Sequence, residues 1–139
     1  MTRIPPDEPS FDPATWSGED AARHLADGVR LFNLGEYEEA HELFEKLWLS
    51  TQGADSDFFK GLVQAAVALL HFERQNLEGA AKLHAGCRGL FAAYLPAHLG
   101  IDVAAFLRDM QTTFGPVARR AAGSEPRFDR DRRPTLRGA

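Results

Sequence analysis

One cysteine, Cys87, is all the thiol in the 139 residues, which excludes an internal disulfide framework and any zinc site built on several cysteines. Its setting in a helical pattern with no base partner beside it reads as core filler rather than as a nucleophile. Long apolar runs are also missing. No stretch reaches about 18 apolar residues, and the N-terminal MTRIPPDEPSFDPATW carries no apolar signal segment, so no membrane insertion is expected and the chain is expected to be cytoplasmic. Basic charge is scarce over residues 1–114, with nine Lys/Arg against 17 Asp/Glu, net −8; residues 115–139 reverse the balance, with seven Arg against three acids, net +4. The acidic body lacks the clustered positive charge that phosphate contacts need, so nucleic acid is not the expected partner. The tail reads as a basic, flexible segment.

Strand alternation is absent, and helical periodicity takes its place. Residues 1–16 contain four prolines and read as an extended arm, with Phe11 and Trp16 as candidate anchors. Residues 17–114 read as one helical domain. Ser17 and Asp20 resemble a capping box before Leu25, Val29 and Phe32, and this helix closes at Gly35. A second helix is expected over Tyr37 to Ser50, a third over Asp57 to Gln75, and a fourth capped by Asn76 and ended by Pro96. Asp102 caps a fifth, whose apolar stripe includes Val103, Phe106, Met110 and Phe114. The fold class is therefore all-α, a compact bundle of about five helices with residues 115–139 as its tail.

The chain also echoes itself. FNLGEYEEAHEL from Phe32 aligns with FERQNLEGAAKL from Phe72 at an offset of 40 residues, matching Glu38 with Glu78, Ala40 with Ala80 and Leu43 with Leu83. Two helix-turn-helix units are implied. They resemble tetratricopeptide repeats, which stack helix pairs into grooved arrays, so a protein-interaction module holding a partner segment is one functional expectation.

The other expectation comes from HELFEKLW, His41 to Trp48. At about 100° per residue, Glu38, His41, Glu45 and Trp48 fall within an arc of roughly 80° beside the core face marked by Phe44 and Leu47. Lys60, Gln64, Ala68, His71 and Gln75 run through the otherwise apolar third helix at steps of four, four, three and four. If these consecutive helices are antiparallel neighbours, His41, Glu45, Gln64 and His71 enclose one polar pocket with Trp48 as a wall. Imidazole and carboxylate at i, i+4 suit a divalent metal, Zn, Mn or Fe, with His71 as a third ligand. Without metal, Glu45 could orient a His41 base and Gln64 could donate to a small polar ligand, so catalysis stays open. The competing explanation is a buried network that only specifies packing. The second unit places Ala81 and Ala85 where the first has His41 and Glu45, so the repeat pattern does not require those groups. His24 and His98 read as surface histidines, and His84 with Cys87 forms a weak i, i+3 pair.

FNLGEYEEAHELFEKLWL, FFKGLVQAAVALLHFERQNLEGAAKL and YLPAHLGIDVAAFL together resemble the prokaryotic family called domain of unknown function 309, over Ala22 to Met110. Its H-x-x-x-E-x-x-W/Y motif is met by His41, Glu45 and Trp48. The resemblance implies a compact all-helical fold and a suggested metal-binding role for the motif. It implies no reaction, substrate or partner. One His and one Glu are too few for a tight site, so His71, Glu38 or a second copy in a homo-oligomer would have to contribute.

Overall fold

The computed structural model describes residues 18–121 and 123–139. The expected arm at 1–16 and the Ser17 cap lie outside the described residues. Five α-helices follow in order: α1 (Gly18–Asn33), α2 (Tyr37–Ser50), α3 (Ser56–Glu73), α4 (Leu77–Phe91) and α5 (Val103–Ala118). They pack as the expected all-α bundle. Asn76 caps α4 by accepting from the Gly79 amide at 3.2 Å, and Asp102 caps α5 by accepting from the Ala105 amide at 2.9 Å. One feature was not expected. Between α4 and α5 the two-residue strands β1 (Ala97–His98) and β2 (Ile101–Asp102) form an antiparallel hairpin, pairing Ala97 with Asp102 and His98 with Ile101. Two residues are too few to leave alternation in a sequence.

The 40-residue echo is a true structural repeat, visible in the backbone of its turns. After α1, the Gly35 amide donates to Phe32 O at 2.9 Å and the Glu36 amide to Leu31 O at 2.9 Å. After α3, the Gln75 amide donates to Phe72 O at 3.1 Å and the Asn76 amide to His71 O at 2.8 Å. Both sets form the same helix-ending motif, which needs a left-handed residue. Gly35 supplies it in the first unit at φ 82°, and Gln75 in the second at φ 60°.

Packing follows the same equivalence. Phe32 and Phe72 end their helices inside the core, and Ala40 and Ala80 are both fully buried where the helices of each unit meet. Phe44 and Leu47 of α2 have His84 and Cys87 of α4 at the equivalent buried places. The helices of the first unit cross closely because Gly28 has no side chain: a Cβ there would stand 2.5 Å from the Phe44 ring.

The C-terminal segment, expected to be flexible, lies along the bundle instead. Phe128 packs against Tyr37 and Phe72, with ring centroids 6.0 and 5.5 Å away. Arg130 pairs with Glu73 and donates to Gly35 O at 3.4 Å. Leu136 is only 3% exposed, and Gly138 bridges to Ile101 beside β2. Two physical causes act together. The tail's positive charge meets an acidic body, and two apolar side chains inside the Arg-rich stretch reach the core. Counting charges alone hid Phe128 and Leu136.

Candidate functional site

The structure divides the expected His/Glu/Gln pocket. His41 and Glu45 do meet, Nε2 to Oε2 at 3.4 Å across one turn of α2, with the carboxylate about half exposed. The α3 row splits between its two neighbours. Lys60 turns to α2, its Nζ 5.7 Å over the Trp48 ring as a cation–π contact. Gln64 turns the other way, packing against α4 so closely that a Cβ on Gly86 would stand 2.4 Å from its Oε1. That buried oxygen has no hydrogen-bond partner among the described residues. His71 turns to its own helix end, with Nδ1 3.2 Å from Asn76 Nδ2.

The triad of His41, Glu45 and His71 is therefore corrected. Among the described residues no group of three or more His, Cys, Asp or Glu is placed to hold a metal ion. A contact five residues away closes a very short loop, so His71 reaches Asn76 at less entropic cost than a partner across the helix pair. Gln64 sits one turn, about 40°, around α3 from Lys60, which is enough to put it on the α4 side. Nearby, Arg74 reaches Glu38 at 3.6 Å, confirming that α2 and α3 run antiparallel. The helix arrangement matched expectation, whereas the directions of the side chains did not.

Two other expectations also change. His24 is buried, 8% exposed, with Nδ1 2.8 Å from Asp20 O. His98 is not simply at the surface: its ring packs between Phe58 and Tyr94, and Nε2 lies 2.7 Å from Asp55 Oδ1. With the Tyr94 hydroxyl donating to Ala54 O at 2.6 Å, this cluster ties the hairpin to the start of α3.

In α4 the His84 and Cys87 pair is sealed rather than poised. His84 stacks on Phe114 at 4.6 Å between ring centroids, with an interplanar angle of 11°. Burial, reinforced by the Arg88 charge, lowers its pKa to about 4. Burial likewise pushes the Cys87 thiol up to about 12, which suppresses the thiolate and leaves the group inert.

A cavity lies elsewhere. A cleft of about 820 Å³ opens on the α1 side of the molecule, walled by Leu25 and Val29 of α1, Phe59 of α3, Ile101 of β2 and Leu136 of the tail. Thr51 and Asp55, between α2 and α3, and Arg137 of the tail add polar groups to its lining. Its walls are apolar at several points and its polar groups few, as in sites that bind by shape. Next to it the tail is held by main-chain contacts. The Asn33 side chain accepts from the Leu136 amide and donates to the Leu136 carbonyl, both at 2.8 Å. Asp102 N donates to Arg137 O at 2.9 Å, Ala139 N donates to Gly100 O at 3.0 Å, and Arg137 pairs with Asp109 at 2.7 Å.

Sequence reasoning missed Asn33 and the tail that it holds. The signal was present in the echo: Asn33 and Glu73 are equivalent last residues of α1 and α3, and both contact the tail, as do their turn neighbours Gly35 and Gln75. Helical periodicity treats all four as helix ends and hides their shared role.

Residues 25–83 match the family described as Domain of unknown function (DUF309), a span that takes in the end of α1, all of α2 and α3 and the start of α4, His41, Glu45 and Trp48 included. The chain is also similar to the uncharacterized protein YpuF of Bacillus subtilis (strain 168), at 34% identity over 85 residues. That alignment covers 59% of this chain and 49% of YpuF, so the chain spans about half the length of the curated relative it matches. The α5 helix and the tail lie beyond residues 25–83. Residues 25–83, running from α1 into α4, are thus similar to the DUF309 family, and in this chain that span is helical.

Proposed function

We propose that the chain is a helical interaction module that holds an extended polypeptide segment of a partner in the cleft beside α1. The observation that carries this is the pairing of an apolar cleft of about 820 Å³ with an adjoining surface on which an extended stretch of the chain already rests through main-chain hydrogen bonds. Extended peptides are commonly recognised in this way: main-chain bonds supply affinity, and pockets for alternate side chains supply selectivity. The repeated helix-turn-helix architecture supports the same reading, because stacked helix pairs create elongated grooves.

Selection from a displayed random-peptide library on the full chain tests it. The expected outcome is enrichment of related peptides on the wild type and their loss on Ala26→Glu, which places a charge in the cleft wall. Failure to enrich any sequence on the wild type and on Leu136→Asp, which frees the tail from the adjoining surface, or enrichment indifferent to Ala26→Glu, overturns the proposal.

A further inference from the structure

We infer that residues 134–137, Pro-Thr-Leu-Arg, occupy in cis a receptor groove for extended segments of the pattern Pro-x-Leu-Arg, so that a partner segment binds only when this strap lifts. The inference rests on the interaction-module reading and names both the partner chemistry and the regulation of the same region.

Four features of the strap resemble a bound ligand more than a chain terminus. The first is its alternation: Pro134 and Leu136 are buried, Thr135 is half-buried and Arg137 is exposed, the period of two of an extended segment read from one side. The second is the pinch by Asn33, whose one carboxamide satisfies both the amide and the carbonyl of Leu136 and so fixes register without reading a side chain. The third is strand addition at β2, through the Ile101–Gly138 bridge and the Asp102–Arg137 hydrogen bond. The fourth is the Asp109 carboxylate, which selects a cation one residue after the leucine.

Each receptor group, Asn33, Ile101, Asp102 and Asp109, belongs to the helical body. Between α5 and the strap, residues 119–125 have described members that are exposed and belong to no helix or strand, and residues 126–133 rest on the body through Phe128 and Arg130. Lifting the strap breaks its contacts with the receptor groups and unwinds no helix. The cleft along α1 borders the same strap, and among the described residues it leaves space for an incoming segment to engage beside the strap before displacing it. Proline at the first position fits this arrangement, since it lowers the entropy lost when the segment is held extended. A cis segment also acts at high effective concentration, so the groove is closed by default.

The test uses a fluorescently labelled peptide of residues 133–139, RPTLRGA, titrated into the full chain and followed by anisotropy. Leu136→Asp in the protein releases the strap, and this variant is expected to bind the peptide at least roughly tenfold more tightly than the wild type, whose competent fraction is small. Adding Asn33→Ala to Leu136→Asp is expected to weaken binding again by roughly tenfold, because the peptide then loses both main-chain bonds. The same peptide carrying Asp in place of Leu136 should not bind. Equal affinity of wild type and Leu136→Asp, or no effect of Asn33→Ala, overturns the inference. Circular dichroism checks the variants; if Leu136→Asp loses helix, Leu136→Ala makes the same comparison, with a smaller shift in the same direction expected and no shift overturning the inference. If unrelated library peptides bind and RPTLRGA does not, this inference falls while the module reading stands; if no peptide binds any variant, both fall.

Discussion

The two helix-turn-helix units share a backbone and differ in what they bury. Phe44 and Leu47 in the first unit become His84 and Cys87 in the second, both also buried. Gly35 at the first turn becomes Gln75 at the second, in the same left-handed conformation. On the outer face the difference runs the other way: His41 and Glu45 of the first unit stand where the second has Ala81 and Ala85. One repeat therefore carries polar groups outside an apolar core, and its copy carries them inside. Repeat geometry is set by small residues and turn hydrogen bonds, which leaves the buried and exposed positions open to diverge.

The largest expected effect breaks the apolar side of this comparison. Phe44→Ala should destabilise the chain by about 3–5 kcal/mol in chemical denaturation, since a fully buried ring packed on Gly28 leaves a cavity that the α1–α2 crossing cannot close. Gly28→Val should show the opposite fault, overpacking, as a lower melting temperature.

The next effect belongs to the polar side and depends on pH. Because the folded pKa of His84 is lowered to about 4 from an ordinary 6.5, the unfolded chain binds this proton more readily between those values. Its contribution is fully present above pH 6.5 and is lost as pH falls toward 4, a decline of about 3 kcal/mol. His84→Phe, which copies the first unit, should remove that part of the pH dependence when denaturation curves at pH 7 and pH 4.5 are compared. An unchanged pH profile would show that His84 does not carry it.

The turns give a smaller contrast. Gly35→Ala places a side chain at φ 82° and against the Arg130 guanidinium, 2.3 Å from Nη2, and should cost about 1–2 kcal/mol. Gln75→Gly removes a strained side chain but also its 3.4 Å bond to Pro126 O, so a change within about 0.5 kcal/mol is expected by the same denaturation assay.

The smallest effect is on the outer face. His41→Ala should leave stability within about 0.5 kcal/mol of wild type, because a half-buried, solvent-screened pair at 3.4 Å is weak. Calorimetry with Zn²⁺, Mn²⁺ and Fe²⁺ should give equal, negligible heats for wild type and His41→Ala. A stoichiometric heat lost in His41→Ala would restore the metal site and require ligands from another copy.

Much of the fold was legible because helices announce themselves locally. Caps at Asn76 and Asp102, the glycine at 35 and the apolar spacing of each segment are properties of residues a few positions apart. The antiparallel placement of α2 and α3 followed from a short loop. The pocket did not follow, because placing residues on neighbouring faces leaves their rotamers open. His71 had a nearer partner in Asn76, and Gln64 had space beside Gly86. The resting place of the tail was not legible for a related reason: composition averages over a segment, whereas docking depended on two apolar side chains and one asparagine more than 100 residues away in sequence.

Local order thus settled five helices, the caps of α4 and α5 and the repeat, since each depends on contacts within a few turns. Which of two nearly equivalent directions a side chain takes, and where an arginine-rich terminus comes to rest, were settled only when distant parts of the chain met. Those outcomes depend on differences of about 1 kcal/mol between competing long-range partners, and no periodicity in the sequence records them.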